Sequence, residues 1–296
     1  MALPKVLITT YHEAYLHRGG GEFEILYIEN LLKRHGLIVD IYGPYSQDIE
    51  SYDVILHFSV HGGGLELLKQ IKKAKKPIAL CPNLHYTEGT ESSRTSIEKC
   101  IDLADAVIFK SLSEKKNFCV PFNVSKEKVY IVPNFINDNI IKVAPKGLFS
   151  ELYGVQNYAI CMGIIEPTKN QLMTIRAMKT FGIPLVIVGK YRNKEYYDLC
   201  VQESPTENLF IDSLPYHSEV MRSALQDSLM YIELSYEPAG LSALDAGLSG
   251  CNLILNDLEW SYEHFEENAT YVDPDSIESV LQNASNWISK RYSSGC

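Results

Sequence analysis

Short apolar runs alternate with amphipathic stretches along the chain. In the first half the runs are "KVLITT", "DVILHF", "PIALC", "ADAVIF" and "KVYIVP", and in the second "YAICMG", "PLVIVG", "NLFI", "SLMYIEL" and "NLILN". Such short, nearly continuous apolar runs are the pattern of strands covered on both faces. The segments between them carry helical periods. In "GEFEILYIENLLKRHG" the residues Phe23, Leu26, Tyr27 and Leu31 fall at helical spacing and Gly36 stops the run. Strands alternating with helices predict an α/β chain built on parallel sheets. The periodicity fades once, in "NFINDNIIKVAPKGLFSELYGV", where turn residues come early and Pro-Lys-Gly sits in the middle. This divides the chain into 1–142 and 143–296, each of βαβ type.

Composition agrees with two domains. The chain has 296 residues and is 46% hydrophobic, enough for two cores. No apolar run approaches the roughly 20 residues that cross a bilayer. "MALPK" leads straight into an apolar strand rather than a signal segment, so a cytoplasmic protein is expected. Cys81, Cys100, Cys119, Cys161, Cys200, Cys251 and Cys296 are scattered singly, matching neither a disulfide framework nor a zinc site, and read as core thiols. The net charge of −10 lies wholly in the second half, because residues 1–142 carry 17 basic and 17 acidic side chains. That balance disfavours a nucleic-acid polymer as partner. In "LELLKQIKKAKK" the lysines Lys69, Lys72, Lys73, Lys75 and Lys76 load a helix end. A solvated helix C-terminus is the simpler reading. The other is a patch that touches anionic lipid headgroups or an anionic acceptor, giving peripheral contact with the inner face of a membrane.

In open α/β sheets ligands bind beyond the carboxyl ends of the strands. The loop after "KVLITT" passes through Gly19, Gly20 and Gly21 into a helix. Glycines there permit positive φ and close approach of a ligand, and a helix N-terminus favours an anion; a flexible glycine-capped loop fits equally. The spacing is not G-x-G-x-x-G, and no phosphate-loop Lys-Ser or Lys-Thr motif occurs, so hydride transfer and ATP hydrolysis lose their main support. A second stretch, "EPAGLSALDAGLSG", reads as a helix start with Leu241, Leu244 and Leu248 on one face and Asp245 beside them. A carboxylate placed there needs a polar partner.

Taken in order, several segments resemble the retaining GT-B glycosyltransferases of glycosyltransferase family four. They are the Gly19–Gly21 loop, "VYIVPNFIN", "MGIIEPTKNQLMTIRAM", "PLVIVGKY", the stretch from "NLFIDSLPYHSEV" through "SYEPAGLSALDAGLSGCNLIL", and the closing "YVDPDSIESVL". The resemblance implies two Rossmann-like domains facing across a cleft, the acceptor held by the first and a nucleotide-sugar mainly by the second. It implies that Glu237 and Asp245 are the two acids of an E-x7-E motif, the first touching the donor sugar and the second the ribose. Gly240 and Leu241 correspond to a turn whose N–H groups meet the donor. Lys169, six residues after Gly163, corresponds to the cation facing the diphosphate. His85, in "LCPNLHY", corresponds to a histidine near the donor sugar, and Gly20 and Gly21 to a donor-side loop. Base recognition falls to backbone around Gly189 and Leu214. A lone strand-end histidine such as His85 is more often structural, and only the family position assigns it to the site.

The chemistry so implied is metal-independent transfer of a sugar from a nucleoside diphosphate, UDP favoured over GDP, with retention and without a cofactor, to a glycan or lipid-linked acceptor. The leaving phosphate takes the acceptor's proton, and Glu237 orients and polarises without acting as a nucleophile, unlike the close carboxylate pair of retaining hydrolases. Three departures stand out. Ile164 replaces the Arg that commonly follows Gly163, leaving Arg18, Lys190 or Arg192 to compensate; Asp245 is one methylene shorter than the usual Glu; and the first half and the tail are short for the family. These keep open a non-catalytic GT-B subunit or nucleotide-sugar-binding protein, while a sugar-nucleotide epimerase has no residue in its favour. His57 and His61, read as lying on the loop after their strand, would shape the acceptor side. The "DPD" of Asp273–Asp275 reads as a turn before a helix rather than a metal motif.

Overall fold

The computed structural model describes residues 3–16, 19–60, 63–85, 91–135 and 138–293. The chain divides into two compact units, Met1–Phe135 and Ile136–Cys296. Residues just past the divide are tied to the second unit. Ile140 is fully buried in its core, Ala144 N–H donates to Gln226 Oε1 at 2.9 Å, and Gln226 Nε2 donates to the Lys142 carbonyl at 2.9 Å.

Each unit is built on a six-stranded sheet. The first contains β1 (Lys5–Thr9), β2 (Ile38–Ile41), β3 (Val54–Phe58), β4 (Ile78–Cys81), β5 (Ala106–Phe109) and β6 (Val129–Ile131), in the order β2-β1-β3-β4-β5-β6. The second contains β7 (Ala159–Met162), β8 (Leu185–Val188), β9 (Leu209–Ile211), β10 (Met230–Glu233), β11 (Leu253–Asn256) and β12 (Thr270–Val272), in the order β12-β11-β10-β7-β8-β9. The strand pairings are all parallel. Each order reverses once, between β1 and β3 and between β10 and β7, and a doubly wound sheet opens its ligand crevice at such a switch point.

Strand alternation divides each unit's core in two. In the second unit Ile160, Val186, Tyr231 and Leu255 pack on one face with Ala243 and Ala246, while Cys161, Ile187, Ile232 and Ile254 pack on the other with Ile175 and Met178. Side chains two residues apart on a strand share a face. In the first unit Val6 and Ile8 meet Ile25 and Ile28 on one face, and Leu7 and Ile55 meet Leu68 and Ile97 on the other.

The pattern reading missed β2 and β12. β2 is interrupted by Asp40, and β12 is only Thr-Tyr-Val before Asp273, so neither forms a continuous apolar run. It also chose the wrong face of helix Gly20–Arg34. The buried positions are Glu22, Glu24, Ile25 and Ile28, whereas Leu26 is 36% exposed. The two inward carboxylates interrupt the true stripe and hide it from a hydrophobic period. Helix Leu241–Leu248 behaves similarly, burying Ala243, Asp245 and Ala246 while Leu241 and Leu244 are half-buried and Leu248 is exposed.

The six described cysteines are free; Cys296 lies outside the described residues. No described helix is long and apolar enough to cross a membrane.

Two glycines meet where β7 and β8 end. Gly163 has φ +152°, and a Cβ on Gly189 would lie 1.8 Å from the Gly163 carbonyl oxygen. Backbone has to yield there, so Gly189→Ala is expected to cost about 3 kcal/mol or more in chemical denaturation, at the upper end for overpacking. At Gly20 a Cβ meets nothing within 4 Å and φ is not positive. Gly20→Ala is expected to leave stability in chemical denaturation unchanged or raise it by about 0.4–1 kcal/mol.

Candidate functional site

The residues of interest in the second unit gather at the carboxyl ends of β7, β8 and β10. Gly163 follows β7, Gly189 follows β8, and Glu237 and Gly240 lie on the loop from β10 into helix Leu241–Leu248. Lys169 closes a 3-10 turn, Pro167–Lys169, on the chain leaving β7. Two contacts fix the turn against the β10 loop: the Tyr236 N–H donates to the Thr168 carbonyl at 2.8 Å, and Asn170, left-handed at φ +52°, donates to the Pro274 carbonyl at 2.9 Å. Lys169 and Glu237 thereby meet at the switch point, with Nζ 3.3 Å from Oε2.

A second acid shares that lysine. Glu233, the last residue of β10, has Oε1 4.0 Å from Lys169 Nζ and a side chain only 5% exposed. It lies two residues beyond Tyr231 and so points to the same face of the sheet. Tyr231 donates to its Oε2 at 2.6 Å, Ser235 Oγ lies 3.5 Å from Oε1, and the Gly240 N–H at the start of helix Leu241–Leu248 also donates to it. Burial pushes Glu233 above the usual carboxylate range, and Lys169 and Tyr231 only partly oppose this. Burial alone would push Lys169 down, but Glu233 and Glu237 outweigh it and hold the ammonium above its ordinary value. Sequence reasoning missed Glu233 because in "SLMYIEL" it reads as the polar end of a strand.

Asn256, at the end of β11, was also missed. Its Nδ2 donates to the carbonyls of Ser235 at 2.6 Å and Glu237 at 2.9 Å, and its Oδ1 accepts from Ser261 at 2.5 Å. The acids' loop is thus pinned from the next strand.

Asp245 faces His217. Oδ2 lies 3.4 Å from Nε2, both side chains are less than a tenth exposed, and Oδ2 accepts no hydrogen bond from the described residues. His217 is itself left-handed, at φ +54°, and stacks on Tyr216 at 4.1 Å. The partner that a helix-face acid requires is therefore a histidine in "LPYHSEV", whose distance in sequence concealed it. The Leu214 side chain is buried in the core.

Of the cations considered in place of an Arg at 164, Arg192 is held by Glu166 through contacts of 3.1 and 2.9 Å, Lys190 is exposed, and Arg18 lies outside the described residues. The "DPD" turn braces the site: Tyr236 donates to Asp275 Oδ1 at 2.8 Å, and the Asp275 N–H donates to Asp273 Oδ1 at 2.9 Å.

In the first unit Gly20, Gly21 and His85 lie near the carboxyl ends of β1 and β4. The glycine loop does not use positive φ. Gly21 is small because a Cβ would lie 3.0 Å from Asn83 Nδ2. The helix start is already occupied by its own acid: Glu22 accepts from the Gly19 N–H at 2.6 Å and from Tyr11 at 2.7 Å. Nearby, Lys110 donates to Asn83 Oδ1 at 2.8 Å and pairs with Glu24 at 3.1 Å. His85 is half-buried beyond β4.

His57 is not on a loop but inside β3, fully buried, with Nδ1 2.8 Å from Thr9 Oγ1 across the first switch point. Burial pushes it down to about 4, so it is neutral. His61 lies outside the described residues. The lysine-rich helix is largely committed locally: Lys69 pairs with Glu66, Lys72 with Asp105, and Lys76 donates to the carbonyls of Glu50 and Tyr52.

Removing the shared cation tests this electrostatic reading. Lys169→Met leaves Glu233 buried without its cation and is expected to cost about 3 kcal/mol. Because Glu233 already lies above its unfolded-state value, the variant raises it further. The deficit should therefore be larger at alkaline pH and shrink as acid protonates the carboxyl. Denaturation at several pH values measures this, and an equal loss at all of them would rule out an ionised pair.

No protein-family model and no curated protein sequence matches the chain. Solved structures do. HepE from Anabaena, in complex with UDP and glucose, superposes with a TM-score of 0.77 at 16% identity, covering 98% of this chain and 91% of that one. A glycosyltransferase from Rickettsia africae gives 0.75 at 12% identity, covering 98% and 89%. A UDP-GlcNAc 2-epimerase from Methanocaldococcus jannaschii, with UDP-GlcNAc and UDP, gives 0.60 at 9% identity, covering 97% and 93%. With two doubly wound parallel sheets in sequence, the chain has the GT-B fold.

Proposed function

We propose that the protein transfers a sugar from a nucleoside diphosphate sugar, UDP-linked in preference to GDP-linked, with retention and without a metal, to a glycan or lipid-linked acceptor. The observation that carries this reading is the 3.3 Å pair of Lys169 and Glu237 at the second sheet's switch point, beside a helix N-terminus. A cation there stabilises charge growing on the diphosphate as the sugar departs, the electrostatic contribution usually largest in such sites. Glu237 is 37% exposed and holds the sugar hydroxyls. Asp245 holds the ribose, a role consistent with its buried oxygen that accepts no hydrogen bond from the described residues. Gly163, Gly189, Gly240, Leu241 and the backbone at Leu214 contact the donor. His85, Gly20 and Gly21 serve from the first unit, which takes the acceptor, and the second unit takes the donor. UDP in HepE and UDP-sugar in the epimerase support a uridine nucleotide.

A non-catalytic nucleotide-sugar-binding subunit is the second reading. It is favoured by Ile164 and by the engagement of Arg192 with Glu166, which leave the diphosphate one fewer cation. Peripheral membrane contact through Lys73, Lys75 and the rest of that helix end belongs to the same proposal, weakened by the local pairs of Lys69, Lys72 and Lys76.

A thermal-shift panel of UDP, GDP and ADP with their sugars is expected to show stabilisation by UDP in the presence of a chelator. A shift seen only with magnesium or manganese would contradict the metal-independent site. Donor hydrolysis without acceptor separates enzyme from binding subunit.

The two acids should also separate. Glu237→Gln is expected to lower turnover on the order of a hundredfold while leaving affinity for bare UDP nearly intact, since that ligand has no sugar to lose. Asp245→Asn is expected to weaken UDP and UDP-sugar alike by about 1–3 kcal/mol. Unchanged kinetics and affinity with lowered stability in both variants would make the acids structural.

A further inference from the structure

Glu233 has no role in the chemistry above, yet it holds that chemistry's groups. Its carboxylate accepts the Gly240 N–H, at the N-terminus of helix Leu241–Leu248, and lies 4.0 Å from Lys169. An ammonium and a helix-terminal N–H are the donors that a diphosphate would use at this switch point. The internal carboxylate therefore stands where phosphate charge would stand.

The charge balance around it is unfavourable to a second anion. From β10 it meets Tyr231; from the following loop Ser235 and, across Lys169, Glu237; from β7 the Cys161 thiol; and from the turn Lys169, which Glu166 also influences. Lys169 is thus one cation shared by two carboxylates. Arg192, the next cation along, is engaged by Glu166.

We propose that Glu233 is a positioning residue that holds Lys169 and the Gly240 N–H until the donor arrives, and that nucleoside diphosphate binding carries a proton onto its carboxylate. This rests on the donor-binding reading of the same site. Protonation removes one negative charge from beside the phosphates, and it turns an acceptor into an O–H donor that can meet a phosphate oxygen. The proton comes from solvent, and no covalent bond to the ligand is made. Burial pushes Glu233 toward the protonated form, and the charge of an adjacent diphosphate pushes it the same way.

Uptake of one proton on binding makes affinity fall by up to about tenfold per pH unit across the window in which Glu233 titrates. The test is calorimetric titration of UDP, with GDP and ADP in parallel, into wild type and Glu233→Gln from about pH 6 to 8.5, each in buffers of different ionisation enthalpy. The nucleotide's own phosphate, with its second pKa near 6, is common to both proteins and cancels in the affinity ratio. The expected result is that wild type takes up close to one proton more than Glu233→Gln, and that its relative affinity falls with rising pH. A constant affinity ratio with equal proton uptake overturns the proposal and makes Glu233 a purely structural acid. Absence of binding by both proteins at every pH and with every nucleotide overturns the donor-binding reading, and this inference with it. Glu233→Met, also neutral, repeats the comparison if the Gln variant does not fold.

Discussion

A carboxylate buried at the end of a central strand must be answered by a cation and by hydrogen bonds, or it gives up its charge. Glu233 imposes that requirement on the second unit, and the loops around it are arranged to meet it. Lys169 comes from the β7 side, Tyr231 from the strand itself, and the Gly240 N–H from the next helix. Holding Lys169 there requires its turn to be docked, which the Tyr236 N–H and the Asn170 side chain accomplish. Holding the β10 loop there requires Asn256, whose amide spans the Ser235 and Glu237 carbonyls. The ends of β7, β10, β11 and β12 are thereby linked through one polar network. Such a network is costly if left half-satisfied, and so it specifies one geometry.

The two units treat their helix starts alike. Helix Gly20–Arg34 is met by Glu22, which takes the Gly19 N–H, and helix Leu241–Leu248 is met by Glu233, which takes the Gly240 N–H. In both places the orphan donors of the helix are satisfied by an internal acid. The acids differ in what else binds them. Glu22 has a neutral partner, Tyr11, whereas Glu233 shares a lysine with Glu237. At the second site one cation is shared between two acids, whereas at the first Lys110 pairs with Glu24 and donates to Asn83.

Legibility in the sequence followed physical cause. Ten of the twelve strands read as apolar runs, most of them because both their faces are covered, and their alternation with helices carries the α/β class directly. The edge strands β2 and β12 lack that signal. Glu237 and Lys169 were found through motif resemblance, and the structure brings them to 3.3 Å. Glu233, His217 and Asn256 were not found. Each lies on a different segment from the group it serves, and pairing across a parallel sheet leaves no mark in local spacing. The glycines divide in the same way. Gly189 is dictated by the carbonyl of Gly163, a contact between strands, while Gly20 has open space around it and no structural reason to be glycine.

The GT-B fold is shared by transferases and by an epimerase that handles a sugar nucleotide, so the fold alone does not select the reaction. Under the proposed donor site, selection would fall to the charge at the switch point. Here two carboxylates flank one ammonium, residue 164 is an isoleucine, and Arg192 is engaged by Glu166. A polyanionic ligand entering such a site gains less from direct cation contact than it would from a lysine-arginine pair. It would depend correspondingly more on helix-terminal N–H groups. Backbone donors are fixed and carry no counter-ion of their own. A site that relies on them places its specificity in geometry rather than in net charge, which is compatible with a second unit whose acidic side chains outnumber its basic ones.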